Sequence, residues 1–192
     1  MPAEAFAGAA LLIIDLQKAI DDPRWAIDGP RNNPEAEANV ARLLNDWRRS
    51  GGVLAHVRHD STEPGSTYRP GGPGHPFKPE AEPRPGERII PKQVQSAFVD
   101  PALSQFLGGQ GVSRLVVCGV ITNNSVETTV RHAANLGYQI TLVEDACFTY
   151  PKRDRRGVLR SAEDVHAMSL ANLDGEYCRI ARTAEILGAS AA

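Results

Sequence analysis

Short runs rich in Val, Ile and Leu recur along this chain at Leu11 to Ile14, Val53 to Val57, Arg88 to Ile90, Leu115 to Val117, Ile140 to Val143 and Cys178 to Ala181. They do not alternate apolar with polar residues as a half-exposed strand does, so they suit strands covered on both faces. Helical patterns fall between most of them. The clearest runs from Pro34 to about Arg49, with Asn33 as N-cap, Pro34 at the first helical position, Val40, Leu43, Leu44 and Trp47 on one face, and Gly51 past the end. A second follows Asp100 with Pro101 at its start, and a third covers roughly Asn124 to Leu136 and stops at Gly137. A fourth begins at Ser161, with Asp164 as an acidic variant of the capping box. The last begins at Thr183. Strands alternating with helices require parallel crossovers, which predicts an α/β fold: a three-layer α/β/α sandwich around a mostly parallel sheet of about six strands.

The 192 residues contain no break in composition long enough to serve as a linker, so residues 1–192 are expected to form a single domain. One segment departs from the plan. His59 to Glu87 carries seven prolines and five glycines, with Tyr68, His75, Phe77 and Lys78 spaced among them. Ordinary connections run to about half a dozen residues. A loop of this length is expected to be an active-site loop or lid, with a mobile surface excursion as the plainer alternative.

A formal net charge of −2 and scattered arginines argue against nucleic acid as a partner. The basic run Lys152, Arg153, Arg155 and Arg156 contains Asp154 and reads as a solvated loop. The longest apolar stretch, Ala9 to Ile14, falls far short of the roughly 20 residues that span a bilayer, and no charged segment with a cleavage site precedes it. No membrane association is expected, and the cytoplasm is the expected location. Cys118, Cys147 and Cys178 show neither CxxC nor Cys/His ligand spacing, which fits a reducing compartment without a disulfide framework or a zinc site.

In open parallel sheets, ligands bind outside the carboxyl ends of the strands, so the residues just after each strand are where chemistry is sought. Asp15 ends the first strand in Ile13-Ile14-Asp15-Leu16-Gln17, and Lys92 follows the third in Pro91-Lys92-Gln93-Val94-Gln95-Ser96-Ala97-Phe98. In Val117-Cys118-Gly119-Val120-Ile121-Thr122-Asn123-Asn124-Ser125 a strand passes to a helix within a few residues. Ser125 then lies where free N–H groups and the helix dipole can hold an oxyanion. Each residue has a plainer reading as well: Asp15 as a turn cap, Lys92 as an exposed lysine, Ser125 as a helix cap.

Together these segments resemble the isochorismatase-like hydrolases, also called the cysteine hydrolase superfamily, which includes isochorismatases, nicotinamidases, N-carbamoylsarcosine amidases and ureidoacrylate amidases. The resemblance covers nearly the whole chain: the LLIIDLQ opening, the HVRH segment ending at His59, the Pro/Gly loop, the PKxxxSAF stretch, the VVCGVxTN turn and the LGYQITLVEDAC block ending at Cys147. It implies Asp15 as catalytic acid/base, Lys92 as the cation supporting the nucleophile, and Ser125 at the position where the family has its cysteine. It also implies a cis peptide joining Val120 and Ile121, with the N–H groups of Ile121 and Ser125 forming an oxyanion hole. Gln17, His59, Ser96, Phe98 and Asn123 would line the pocket. Some members bind a metal through an Asp-x-His motif and a further His. Here the region reads Arg58-His59-Asp60-Ser61, so neither metal nor other cofactor is expected.

A thiol beside a cation and a helix N-terminus becomes a thiolate and attacks unaided, whereas a serine hydroxyl needs its proton removed as it attacks. Three readings stay open. Ser125 is a slower nucleophile with Asp15 as its base; or Asp15 protonates a substrate or activates water without a covalent intermediate, as in cleavage of the vinyl ether of isochorismate; or the pocket is kept for ligand binding with little turnover. Cys118 and Cys178 look structural, while Cys147 is placed where it could face the site. The resemblance favours a hydrolase acting on a small-molecule substrate at an amide or ureido C–N bond, and a homodimer or homotetramer.

Overall fold

A computed structural model describes residue 6 and residues 8–190 of the chain. Eight strands appear among them: β1 (Ala10–Ile14), β2 (Leu54–His59), β3 (Arg88–Lys92), β4 (Arg114–Val120), β5 (Gln139–Phe148), β6 (Lys152–Arg153), β7 (Leu159–Arg160) and β8 (Arg179–Ala181). The α-helices are α1 (Ala36–Ser50), α2 (Ala102–Gly109), α3 (Glu127–Asn135), α4 (Ala162–Ala171) and α5 (Thr183–Ser190). Six strands form one sheet in the order β3-β2-β1-β4-β5-β8, every neighbouring pair parallel. The fold is the three-layer α/β/α sandwich expected. β1 is buried along its whole length because it sits mid-sheet with helices on both faces.

From β1 the chain steps outward to β2 and β3, then returns across the sheet to β4 on the other side of β1. Right-handed crossovers in opposite directions place α1 and α3 on opposite faces. They also open a crevice where the order reverses, between the carboxyl ends of β1 and β4. The core follows from this plan: Leu11 to Ile14 and Val116 to Cys118 are essentially inaccessible, with Val40, Leu43 and Leu44 from α1 and Val130 from α3 against them.

Some local expectations are corrected. α1 starts at Ala36, with Glu35 at its cap and no side-chain capping bond. Asn33 adopts a left-handed backbone (φ 45°) and spends its amide on the carbonyls of Glu144 (2.9 Å) and Cys147 (2.7 Å), which ties the helix entry to β5 instead. The third helix does not begin at Asn124: Thr122–Val126 forms a wider π-type turn before α3. The basic run is not wholly loop, because Lys152–Arg153 pairs antiparallel with Leu159–Arg160. Asp154 closes that hairpin by accepting from the Arg156 and Val158 N–H groups and pairing with Arg160. Ser161 caps α4 through the Asp164 N–H (3.0 Å).

The Pro/Gly segment is anchored at several points rather than free. Lys18 N–H donates to Pro76, Ala19 N–H to Gly74, and Lys78 N–H to the Leu16 carbonyl. Gly74 passes so close to the chain after β1 that a Cβ would lie 2.5 Å from the Thr67 carbonyl and 2.8 Å from Ala19 Cα. Phe77 and Ala81 are buried, and Arg48 of α1 grips Glu87 at 2.7 and 2.8 Å. Burial would raise the Glu87 carboxyl, yet Arg48 and the Arg84 N–H hold it down to about 2. Among the described residues no helix is long and apolar enough to cross a membrane.

Candidate active site

β1 delivers Asp15 to the crevice in a left-handed backbone (φ 50°), a conformation that Asp tolerates better than most residues. Its N–H still donates to Val57 of β2 (3.0 Å), so the turn is fixed to the sheet. Lys92, the last residue of β3, lies beside His59 in the β2–β3 register and reaches across β2. Its Nζ donates to Asp15 Oδ2 at 2.6 Å, to the Val94 carbonyl at 3.0 Å, and to Ser125 Oγ and His59 Nδ1 at 3.3 Å each. An ammonium with three protons thus serves four acceptors. Ser125 sits on the π-type turn after β4, past a cis peptide joining Val120 and Ile121. Asp15, Lys92 and Ser125 are all at least nine-tenths buried.

The electrostatics follow from that burial. Desolvation raises the Asp15 carboxyl above its ordinary range, against the charge and hydrogen bond of Lys92 and the nearby Ser125 hydroxyl. Asp15 Oδ1 is buried without a hydrogen-bond partner. Burial, then the Lys92 charge, push His59 down to about 4, so its imidazole is neutral at physiological pH and can accept from Lys92. Tyr68 covers the site with its Oη 3.5 Å from the Asp15 carbonyl, and burial drives its phenol well above the usual range.

These groups border a pocket of about 220 Å³, lined by Asp15, His59, Ile121 and Ser125 together with Trp25, Ser61, Glu63, Ser66, Tyr68, Gln95, Val120 and Asn124. Of the residues expected from the sequence, Asp15, Lys92 and Ser125 come together, and Ile121 and His59 face the same space. Lys92 stands behind the wall, and four of the residues expected to line the pocket do not. Gln17 is buried as a clamp, donating to the His59 (3.2 Å) and His75 (2.7 Å) carbonyls and accepting from the His59 N–H. Ser96 is occupied with His132 Nδ1 (2.8 Å) and the Phe98 N–H. Phe98 packs its ring near His132 and Tyr138. Asn123 accepts from Thr149 Oγ1 (2.6 Å) and faces a separate groove along α4.

Trp25, Tyr68, Gln95 and Asn124 were not identified from the sequence as pocket residues. Tyr68 and Asn124 stood inside segments already singled out, whereas Trp25 lies in a short turn after Pro23 that carries no pattern of its own. Cys147 is fully buried and absent from the pocket wall. Burial raises the thiols of Cys118 and Cys147, and that of Cys178 to about 12. Asp60, nearest in sequence to a metal-type motif, is committed to Arg58 (2.8 and 3.0 Å) and His75 Nε2 (2.8 Å). No cluster of three or more His, Cys, Asp or Glu among the described residues is arranged to hold a metal ion.

Comparison with known proteins matches residues 9–174 to the isochorismatase domain. An isochorismatase family protein of Bacillus subtilis strain 168, YrdC, is 35% identical over 178 residues, which span 93% of this chain and 94% of that one. Streptothricin hydrolase of Streptomyces noursei is 34% identical over 144 residues, 73% of this chain and 50% of that enzyme. The crystal structure of an isochorismatase-family protein from Chromobacterium violaceum superposes with a TM-score of 0.91 at 58% identity, covering 95% of this chain and 93% of that one.

Proposed function

Because this chain belongs to the isochorismatase family, whose members include hydrolases, we propose that it cleaves an amide or ureido C–N bond in a small polar substrate, using Asp15, Lys92 and Ser125. One observation carries the reading: a single buried ammonium holds the Asp15 carboxylate and the Ser125 hydroxyl together on the wall of an open pocket. A hydroxyl that accepts from Lys92 keeps its own proton for another acceptor. Asp15, raised by burial, is a stronger base for that proton than an ordinary carboxylate.

In this mechanism Ser125 Oγ attacks the carbonyl carbon as its proton passes to Asp15, and the N–H groups of Ile121 and Ser125 receive the oxyanion. Asp15 then gives the proton to the departing nitrogen as the C–N bond breaks. Water, deprotonated by Asp15, hydrolyses the acyl ester and regenerates the hydroxyl. Lys92 keeps its positive charge throughout and offsets the charge that Asp15 regains. The continuous six-stranded sheet, with β3 at one edge and β8 at the other, supports reading the chain as one domain built around this site.

A second reading rests on the unpartnered Oδ1 of an acid whose neutral form burial favours: Asp15 protonates a vinyl ether directly and no covalent intermediate forms. Turnover of small amides and of isochorismate, with Ser125→Ala and mass spectrometry of the quenched enzyme, separates the two. The C–N reading expects an acyl adduct on Ser125 and a loss of about 10³-fold or more in kcat for Ser125→Ala. Isochorismate turnover that survives Ser125→Ala, with no adduct, would establish the second reading instead.

A further inference from the structure

Charge around the pocket is one-sided. The ionisable side chains of its wall are Asp15 at the floor, Glu63 at the rim, the imidazole of His59 and the phenol of Tyr68, which burial keeps neutral, and neither Lys nor Arg lines it among the described residues. The nearest cation, Lys92, has a side chain only 2% exposed, and its protons go to Asp15, Ser125, Val94 and His59. It has none left for a ligand carboxylate. Arg24, in the adjoining depression beyond Trp25, is tied to Asp22 and to the Gly65 carbonyl. Arg58 is held by Asp60. Glu63, by contrast, is exposed, and its carboxylate has no ion-pair partner among the described residues.

Between floor and rim stand three rings. Tyr68 meets Trp25 edge-on at 6.3 Å between centroids and His59 edge-on at 5.5 Å. Aromatic faces attract cations through their quadrupole, and repel anions by the same field. Held neutral by burial and by Lys92, His59 adds no positive charge to this wall.

We propose that the substrate is an uncharged amide bearing an alkylammonium group beside the reacting carbonyl, with the amide at Asp15 and Ser125 and the cation among Trp25, Tyr68 and Glu63. The inference rests on the C–N reading above and narrows it. A pocket of this volume is smaller than the ~300–1,000 Å³ of typical ligand sites, so it takes the reacting end and leaves any longer remainder projecting past Glu63. With Asp15 offset by Lys92, carboxylate substrates meet the unpaired charge of Glu63 and no cation on the wall.

Three amides of nearly equal size test this: trimethylammonioacetamide, its neutral isostere 3,3-dimethylbutanamide, and malonamate. Calorimetry measures binding, and ammonia release measures kcat/KM, for the unmodified protein and for Glu63→Gln and Glu63→Lys, changes at an exposed position. The proposal expects the cation to bind about tenfold more tightly than the neutral isostere, and malonamate weakest. Glu63→Gln should bring the first ratio close to one, and Glu63→Lys should favour malonamate. Tightest binding of malonamate, a ratio unmoved by Glu63→Gln, or no binding of any of the three at millimolar concentration overturns it. Binding in the expected order without ammonia release would sink the C–N reading while the charge selection stands.

Discussion

At Asp15 two effects oppose each other: burial disfavours the ionised carboxyl, and the Lys92 ammonium favours it, with burial the larger. A base works only when ionised, so the reaction should be lost as pH falls through a value above 3.8, the ordinary position of this group. The acidic limb of a kcat/KM profile measures it, and a limb at or below 3.8 would contradict the assignment. Asp15→Asn should lower kcat/KM by at least ~100-fold, whereas His59→Gln should leave the limb where it was, since His59 titrates near 4 and takes no proton in the proposed steps. That Asp15, Lys92 and Ser125 gather at one edge was legible because each stands at or just past the end of a strand of a parallel sheet, while the roles proposed for them came from the family resemblance and not from position. Trp25 and Gln95 were not, because nothing local marks a side chain whose role is to close a wall formed by distant segments. Gln17, Ser96, Phe98 and Asn123 sat in the right motifs but turn to neighbours that hold loops in place.

The pairing of β1 with β4 sets the spacing between the acid and the hydroxyl, and Gly119 is its tightest point. Gly119 lies opposite Ile14 in the register, beside the irregularity that separates Val117 from Gly119 in the β4–β5 pairing. Its φ is 119°, a backbone that L side chains rarely adopt, and an added Cβ would stand 2.6 Å from the Ile14 nitrogen and closer still to the Ile14 carbonyl. Both are backbone atoms with nowhere to move. Gly119→Ala should therefore cost more than ~3 kcal/mol, or prevent folding, as urea denaturation would read. A loss below 1 kcal/mol would mean that β1 and β4 separate easily. The central strands were readable from composition, since full burial selects Val, Ile and Leu, whereas the edge strand β3 buries only Ile90 and Lys92 and is not covered on both faces as its apolar residues suggested. Helix starts were less so: Asn33 has the chemistry of a cap, but the carbonyls of β5 compete for the same amide and win. The β6–β7 hairpin gave no signal because two-residue strands of exposed side chains, three of the four basic, have no pattern to show.

Across the whole molecule, the segment between β2 and β3 acts as a built wall of the pocket, and it supplies Ser61, Glu63, Ser66 and Tyr68 to it. Its length raises the expectation of a binding role, while its contacts depend on Gln17 and Arg48, each far away in sequence. The same compactness encloses every cysteine. Cys118, Cys147 and Cys178 are buried, burial raises all three thiols, and the pocket wall holds a hydroxyl in their place. Thiolate is the form that peroxide oxidises and iodoacetamide alkylates, and here little is formed or exposed. The folded protein should keep its activity, with no carboxamidomethyl mass added, after iodoacetamide or hydrogen peroxide doses that silence a Ser125→Cys variant treated alongside it. Under the Ser125 mechanism proposed above, a catalyst arranged this way trades the speed of sulfur for indifference to oxygen.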